Sequence, residues 1–301
     1  RRGRTTMWRG SWGLALALAA LACTEASAAV DRVRTLVVVD EMSVHTTHSQ
    51  MFRMLEDQGH NLTFARADDG DLALSRDGEW EYENLVLFAA HTEAFGGEVD
   101  PEEVMRFVDS GRSLLLAVPP SATTPVRFMS EMCGILTDKK GGVLQDHFEF
   151  DAEDDGSHDL VVSRGFADVP AILDKGAKGG PVLYRGTGLM SLANPLVIPI
   201  LRAPSTSYTE YPSELVDFET TMSMGSMTLL VAAMQGRNNA RVAVSGSLEM
   251  FSDKFFNAKV SAASSQGQEA PSGNRAFVQD LLDWTFGHKA VLRVVGGATY
   301  R

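Results

Sequence analysis

The sequence predicts an α/β protein of the doubly wound, flavodoxin-like type, built on a mostly parallel sheet. Short β-branched runs alternate with amphipathic stretches of helical length, as βαβ units do. The apolar runs are continuous rather than alternating, as strands covered on both faces read. The helices carry their own start and stop residues.

Residues 35–40 (TLVVVD) form a buried parallel strand that ends in an acid. A helix follows over 47–58, with Met51, Phe52, Met54 and Leu55 on one face and Gly59 as its stop. Residues 61–65 and 84–88 (NLVLF) are the second and third strands. Asp100-Pro101-Glu102-Glu103 then opens a helix: a capping Asp, Pro at the first helical position, and acids in the first turn. Gly111 ends it, 113–118 (SLLLAV) is the next strand, and 125–133 is a helix stopped by Gly134. Beyond residue 142 the pattern thins. Strands are expected at 160–163, 181–184, 228–234 and 241–245, with loops at 236–240 and 261–273. The last helix is expected over 275–286, with Phe277, Leu281, Leu282 and Trp284 in the core. No internal repeat is present.

The 301 residues, 44% of them hydrophobic and 22% charged, suffice for one large domain or two small ones. The formal net charge is −12; without the four arginines and one glutamate of residues 1–28 it falls to −15. A surface so acidic repels phosphate backbones, which argues against a nucleic-acid partner. Residues 1–28 read as upstream sequence followed by a secretory signal. From Met7 a short basic segment leads into the apolar run 13–23 (GLALALAALAC), then into small residues at Ala26 and Ala28. That spacing predicts cleavage between Ala28 and Ala29. Cys23 leaves with the signal, so Cys133 stands alone and no internal disulfide can form.

Candidate chemistry is sparse. His45 and His48 lie three apart near Asp40 and Glu41, but a metal needs a third and fourth ligand; exposed or capping histidines are expected instead. Residues 151–156 (DAEDDG) copy the first half of a calcium loop, yet the twelfth position is Val162 rather than a bidentate Glu. A solvated acidic turn is the better account. Cys133 sits at a helix end, where carbonyl dipoles raise a thiol pKa. Ser247, in Ser245-Gly246-Ser247, lacks the full G-x-S-x-G elbow. The turn after the 113–118 strand, Pro119-Pro120-Ser121, has neither a cysteine nor flanking glycines. Glu41 and Met42 follow the first strand where a phosphate-binding loop would stand, and an acid there repels pyrophosphate. No catalytic, cofactor or metal residue is therefore assigned. Asn61-Leu62-Thr63 is the only N-glycosylation sequon and makes Asn61 a candidate glycosylation site, which a buried strand would hide.

The segment 235–257 (QGRNNARVAVSGSLEMFSDKFFN) closely resembles the signature of the DDOST/WBP family, a subunit of the oligosaccharyltransferase complex. Other matching pieces keep the family's order. They include TLVVVD with Thr47-His48-Ser49, LTFARADD (62–69), YENLVLF (82–88), Phe95-Gly96-Gly97 and Cys133-Gly134-Ile135. LYRGTG (183–188), Asn194-Pro195-Leu196, STSY (205–208), Trp284-Thr285-Phe286 and VLRV (291–294) continue the series, so the resemblance covers about 34–295.

The resemblance implies an amidotransferase-like domain over 29–295 at the lumenal face of the endoplasmic reticulum membrane, with no catalytic cysteine and no cofactor. Its partners would be the other oligosaccharyltransferase subunits, one of which performs the transfer. The family continues into a β-rich domain and a C-terminal membrane helix, which would supply the membrane association; 296–301 read as the truncated start of that region. Two other readings stay open. A secreted amidotransferase- or hydrolase-like enzyme would use Ser247 or Cys133 and needs a base and an oxyanion hole around it. A free carbohydrate-binding module would stack sugars on exposed Trp284, Tyr208 and Tyr211.

Overall fold

Among the described residues, the continuous apolar runs at 35–39, 84–88 and 113–117 are strands of one parallel sheet. The computed structural model describes residues 32–174, 177–192, 194–211, 224–265 and 268–292. The expected leader over 1–28, its cleavage point at Ala28 and Ala29, and residues 296–301 lie outside them. The first strands and helices are β1 (Val33–Val39), α1 (Ser49–Asp57), β2 (His60–Arg66), β3 (Asn84–Phe88), α2 (Pro101–Asp109), β4 (Ser113–Ala117) and α3 (Thr124–Met132). Strands β5 (Ile135–Thr137), β6 (Val143–Gln145), β7 (Val161–Ser163), β8 (Gly165–Phe166), β9 (Val182–Tyr184) and β10 (Leu189–Ser191) follow. The chain continues through β11 (Val197–Arg202), β12 (Tyr208–Glu210), β13 (Leu229–Gln235) and β14 (Arg241–Ser245) to helices α4 (Asp253–Phe256) and α5 (Asn274–Thr285).

The order β2-β1-β3-β4-β14 is parallel throughout, with Val37 level with both Phe64 and Val86 and Leu116 level with Val244. Successive strand residues point to opposite faces. Val37, Val39, Val86 and Phe88 pack under Met51, Phe52 and Leu55 of α1 and Phe277, Leu281 and Trp284 of α5. Leu36, Val38, Leu85 and Leu87 pack on the other side against Val104 and Phe107 of α2 and Val126 and Met129 of α3. Covering both faces is what made the strand runs uniformly apolar, and the doubly wound expectation holds.

The start of α2 follows its sequence signals. Asp100 Oδ1 accepts the Glu103 N–H at 2.6 Å, with Pro101 at the first position. Gly111, at φ +95°, lets the chain turn out of that helix where a side chain would be strained.

The second half departs from the expectation: β6, β8, β10, β11 and β12 were not expected as strands. β7 and β9 pair with each other, antiparallel, in a separate two-stranded ribbon. β11 was not expected at all, because Pro199 interrupts its apolar run and proline cannot donate to a ladder. The strand accommodates it with a register shift between Pro199 and Leu201 while pairing with β13. β8, β11, β13, β10 and β5 thus extend the parallel core as an antiparallel wing. Among the described residues no helix is long and apolar enough to cross a membrane.

Candidate functional site

Open α/β sheets bind ligands outside the carboxyl ends of their strands, where the strand order reverses. Here that point lies between β1 and β3: α1 leaves β1 toward one face, and α2 follows β3 onto the other. Three turns meet at this edge. Asp40 ends β1, His91 and Thr92 follow β3, and Pro119-Pro120-Ser121 follow β4.

Asp40 organises the group. Its Oδ2 accepts the His91 backbone N–H at 2.9 Å and faces His91 Nδ1 at 3.0 Å, while its Oδ1 accepts the Thr92 hydroxyl at 2.7 Å. A carboxylate can only accept, so the neutral imidazole carries its proton on Nδ1. Nε2 is then the acceptor of the Ser121 hydroxyl, 3.0 Å away. The turn after β4 is laced to the turn after β3 by Thr123, whose N–H reaches the Ala90 carbonyl and whose hydroxyl reaches that of Thr92.

Ser121, His91 and Asp40 therefore share the layout of a Ser-His-Asp triad, which is recognised by geometry rather than by chain order. The stabilising half of such a site is missing. The backbone N–H after the nucleophile normally faces the developing oxyanion; here the Ala122 N–H donates to the Pro119 carbonyl at 2.9 Å. Nor does Ser121 have the strained positive φ of a nucleophile elbow.

The group borders a cleft of about 350 Å³ whose walls include His91, Pro119, Ser121, Arg185, Leu248 and Glu249. Arg185 Nε donates to Asp159 at 2.7 Å, and its NH1 lies 3.8 Å from Glu249. Burial pulls the Arg185 pKa down, but the Asp159 and Glu249 carboxylates outweigh it and the net shift is upward. The guanidinium is a fixed charge in the wall.

The residues singled out from the sequence lie elsewhere. Cys133 is buried, its sulfur 3.9 Å from that of Met105, and burial followed by the charge of Asp109 pushes its thiol up to about 12. Ser247 is fully buried; its Oγ accepts the Met250 N–H and its own N–H donates to Ser245 Oγ. These are turn bonds, and they leave Ser247 no route to a substrate. His45 is exposed against the edge of Phe64. His48, contrary to expectation, is buried, held by Thr47 Oγ1 and the Leu248 carbonyl; the apolar floor behind β1 takes it in.

In the acidic turn Asp154 accepts the N–H groups of Gly156, His158 and Leu160, Asp155 accepts Ser157, and Asp159 holds Arg185. Asp151 departs from the solvated expectation: it is buried and accepts the N–H groups of Glu153 and Ser261, which pins the turn to the next segment.

The stacking platform is not formed either. Trp284 and Tyr211 are buried, and the Tyr208 hydroxyl is engaged with His147 Nε2 at 2.9 Å. Asn61 is exposed, because β2 is the edge strand, so the asparagine is not hidden.

His91 and Arg185 went unmarked in the sequence. The one available signal for His91 was its position directly after a buried strand at the carboxyl edge.

Residues 26–288 match the N-terminal domain of the OST48 family. The dolichyl-diphosphooligosaccharide–protein glycosyltransferase 48 kDa subunit of Drosophila melanogaster is 37% identical over 295 residues, which are 96% of this chain and 64% of that protein. Its counterpart in Danio rerio is 38% identical over 265 residues, covering 87% of this chain and 60% of its own. That of Arabidopsis thaliana is 37% identical over 263 residues, covering 86% and 60%. The chain thus spans less than two thirds of the length of these relatives. The match takes in the whole parallel sheet together with the cleft at its carboxyl edge, and the chain belongs to the OST48 family.

Proposed function

We propose that this chain is a non-catalytic subunit of the oligosaccharyltransferase complex, placed at the lumenal face of the endoplasmic reticulum membrane. It helps to assemble and hold the complex while another subunit transfers the oligosaccharide to asparagine. The observation that carries this reading is 37–38% identity over 86–96% of the chain to relatives named as the 48 kDa subunit. The site chemistry supports it. Cys133 and Ser247 are buried, and Ser121 has a base but no oxyanion donor after it.

Entry into the lumen follows from the leader, so N-terminal sequencing of the native protein should begin at Ala29. In that compartment Asn61, exposed on an edge strand, is open to glycosylation, and Asn61→Gln should abolish a glycosidase-sensitive gel shift.

Purification of the tagged full-length gene product from detergent-solubilised microsomes tests complex membership. Other subunits and glycosyltransferase activity should co-purify; recovery of the protein alone, with the activity elsewhere, would overturn the reading.

The triad-like geometry favours a second reading, acyl hydrolysis at Ser121. Covalent labelling of the folded protein by a fluorophosphonate, lost in Ser121→Ala, would establish it. Within the assembled complex, Cys133→Ala and Ser247→Ala should leave turnover intact. A loss beyond about a hundredfold is the scale of removing a general acid or base and would count against a purely structural role.

A further inference from the structure

We propose that carbohydrate on Asn61 guards the open edge of the parallel sheet, and that this edge pairs with a second copy of the chain when the carbohydrate is absent.

The sheet ends in strands of unequal length. β8, of two residues, and β5, of three, close the antiparallel wing, whereas β2 runs for seven residues in unbroken register with β1. A two-residue edge offers little to pair with. A long, regular edge presents a row of backbone N–H and C=O groups on its outer side, a template for a further strand. Proline, lysine, a bulge or a covering element ordinarily blunts such an edge. Within β2 there is no proline, no lysine and no bulge, and Arg66 stands at its very end, engaged with Asp68 at 2.6 Å. Among the described residues no strand lies on its outer side.

The side chains of β2 suit a copy of themselves. An antiparallel pair across a two-fold axis uses the same patch on both subunits. With Thr63 on that axis, Leu62 of one copy meets Phe64 of the other, and Asn61 meets Ala65. Leu62 and Phe64 are half-buried on the core under α1, where Phe64 lies edge-on to Phe52 at 5.0 Å and to His45 at 4.7 Å. Pairing would complete the cover of these apolar side chains. None of the seven residues is acidic, so the net negative charge of the chain is not concentrated at the contact.

Asn61 is well placed to block this pairing. It is exposed, on the face of β2 opposite to Leu62 and Phe64. Neighbouring strands lie about 4.8 Å apart, so a bulky glycan at Asn61 fills the space that an added strand and its Ala65 would need. It does at this edge what proline or lysine does at others. The carbohydrate rests on the lumenal placement proposed above; the capacity of the bare edge to pair does not.

The test uses the full chain purified from a eukaryotic secretory host as wild type, Asn61→Gln and Asn61→Gln/Thr63→Lys, with sedimentation velocity as the readout. Glycosylated wild type should be a monomer. Asn61→Gln should double its apparent mass as its concentration is raised, with amide exchange slowed first in β2. Adding Thr63→Lys sets two ammonium groups opposite each other at the axis and should return the unglycosylated protein to a monomer. Unchanged melting temperatures show that the variants are folded. If Asn61→Gln stays monomeric, or if Thr63→Lys leaves its self-association unchanged, β2 is not the pairing edge and the proposal falls. Self-association of the glycosylated wild type equal to that of Asn61→Gln would overturn the shielding. So would native protein without a glycan; the lumenal reading falls with it only if the leader is also retained, and stands if the chain begins at Ala29.

Discussion

Asn274 pairs with Leu183 as a neighbouring strand would. Its Oδ1 accepts the Leu183 N–H at 2.8 Å, and its Nδ2 donates to the Leu183 carbonyl at 2.9 Å and to that of Met250 at 3.1 Å. The side chain is fully buried at the start of α5 and ties that helix to β9 and to the turn after β14. Asn274→Ala should therefore strand one N–H and two carbonyls away from water. At about 1–3 kcal/mol for each unsatisfied group, partly relieved by relaxation, the expected loss is about 3 kcal/mol. Urea unfolding measures it. A loss below about 1 kcal/mol would mean that other partners replace the amide.

His60 predicts an acid-sensitive fold. The ring is buried, with Nδ1 2.8 Å from Thr35 Oγ1 and Nε2 2.8 Å from His288 Nε2. Burial, and after it the second imidazole, lowers its pKa from 6.5 to about 4. Between those values the unfolded chain takes up a proton that the folded chain refuses, so acidification favours unfolding. This contribution is complete above pH 6.5 and lost as pH falls to 4. His48, whose pKa burial also lowers, acts in the same direction. About 2 kcal/mol should be lost across that window, after allowance for solvent screening. His60→Gln should flatten the profile; an unchanged slope in that variant would show that His60 is not responsible.

Cys133 should be inert in the native state. Its thiol is pushed up to about 12 and has almost no access to water, whereas the reactive species is the thiolate. Iodoacetamide at pH 8 should modify it at least about a hundredfold more slowly in native protein than in urea. Mass spectrometry of the intact protein follows the reaction, and equal rates in the two states would contradict the burial.

The parallel half of the fold was legible because its central strands are covered on both faces, and short β-branched runs bounded by turn and capping signals read as buried strands. Thr35, Asn84 and Ser113 open runs that the structure pairs in register. The antiparallel wing was less legible: Pro199 masks β11, and the apolar runs of β7 and β9 reach the core from a ribbon outside the main sheet. The candidate site was largely hidden. Asp40 and His91 are 51 positions apart, and His91 and Ser121 another 30. No local spacing rule connects them; only the parallel order brings the ends of β1, β3 and β4 together. The exposure of Asn61 was hidden for the same reason, since it depends on β2 being the edge strand.

Arg241 closes the far end of α5, and its fork should resist replacement by lysine. NH1 donates to the carbonyls of Trp284 and Lys289 at 2.5 and 2.8 Å, and NH2 donates to that of Ala290 at 2.7 Å. The Trp284 carbonyl belongs to the last turn, where helical carbonyls lack intrahelical partners. The guanidinium also lies 5.0 Å from the centre of the Trp284 ring. Arg241→Lys keeps the charge, but one ammonium cannot span three carbonyls or stack as a plane. The expected cost is about 2 kcal/mol, with amide exchange accelerated first in the last turn of α5. Arg241→Met keeps much of the stem while removing every donor, so it should cost more than lysine. If lysine and arginine prove equally stable and the exchange pattern is unchanged, charge alone holds this end of the helix and the fork geometry is incidental.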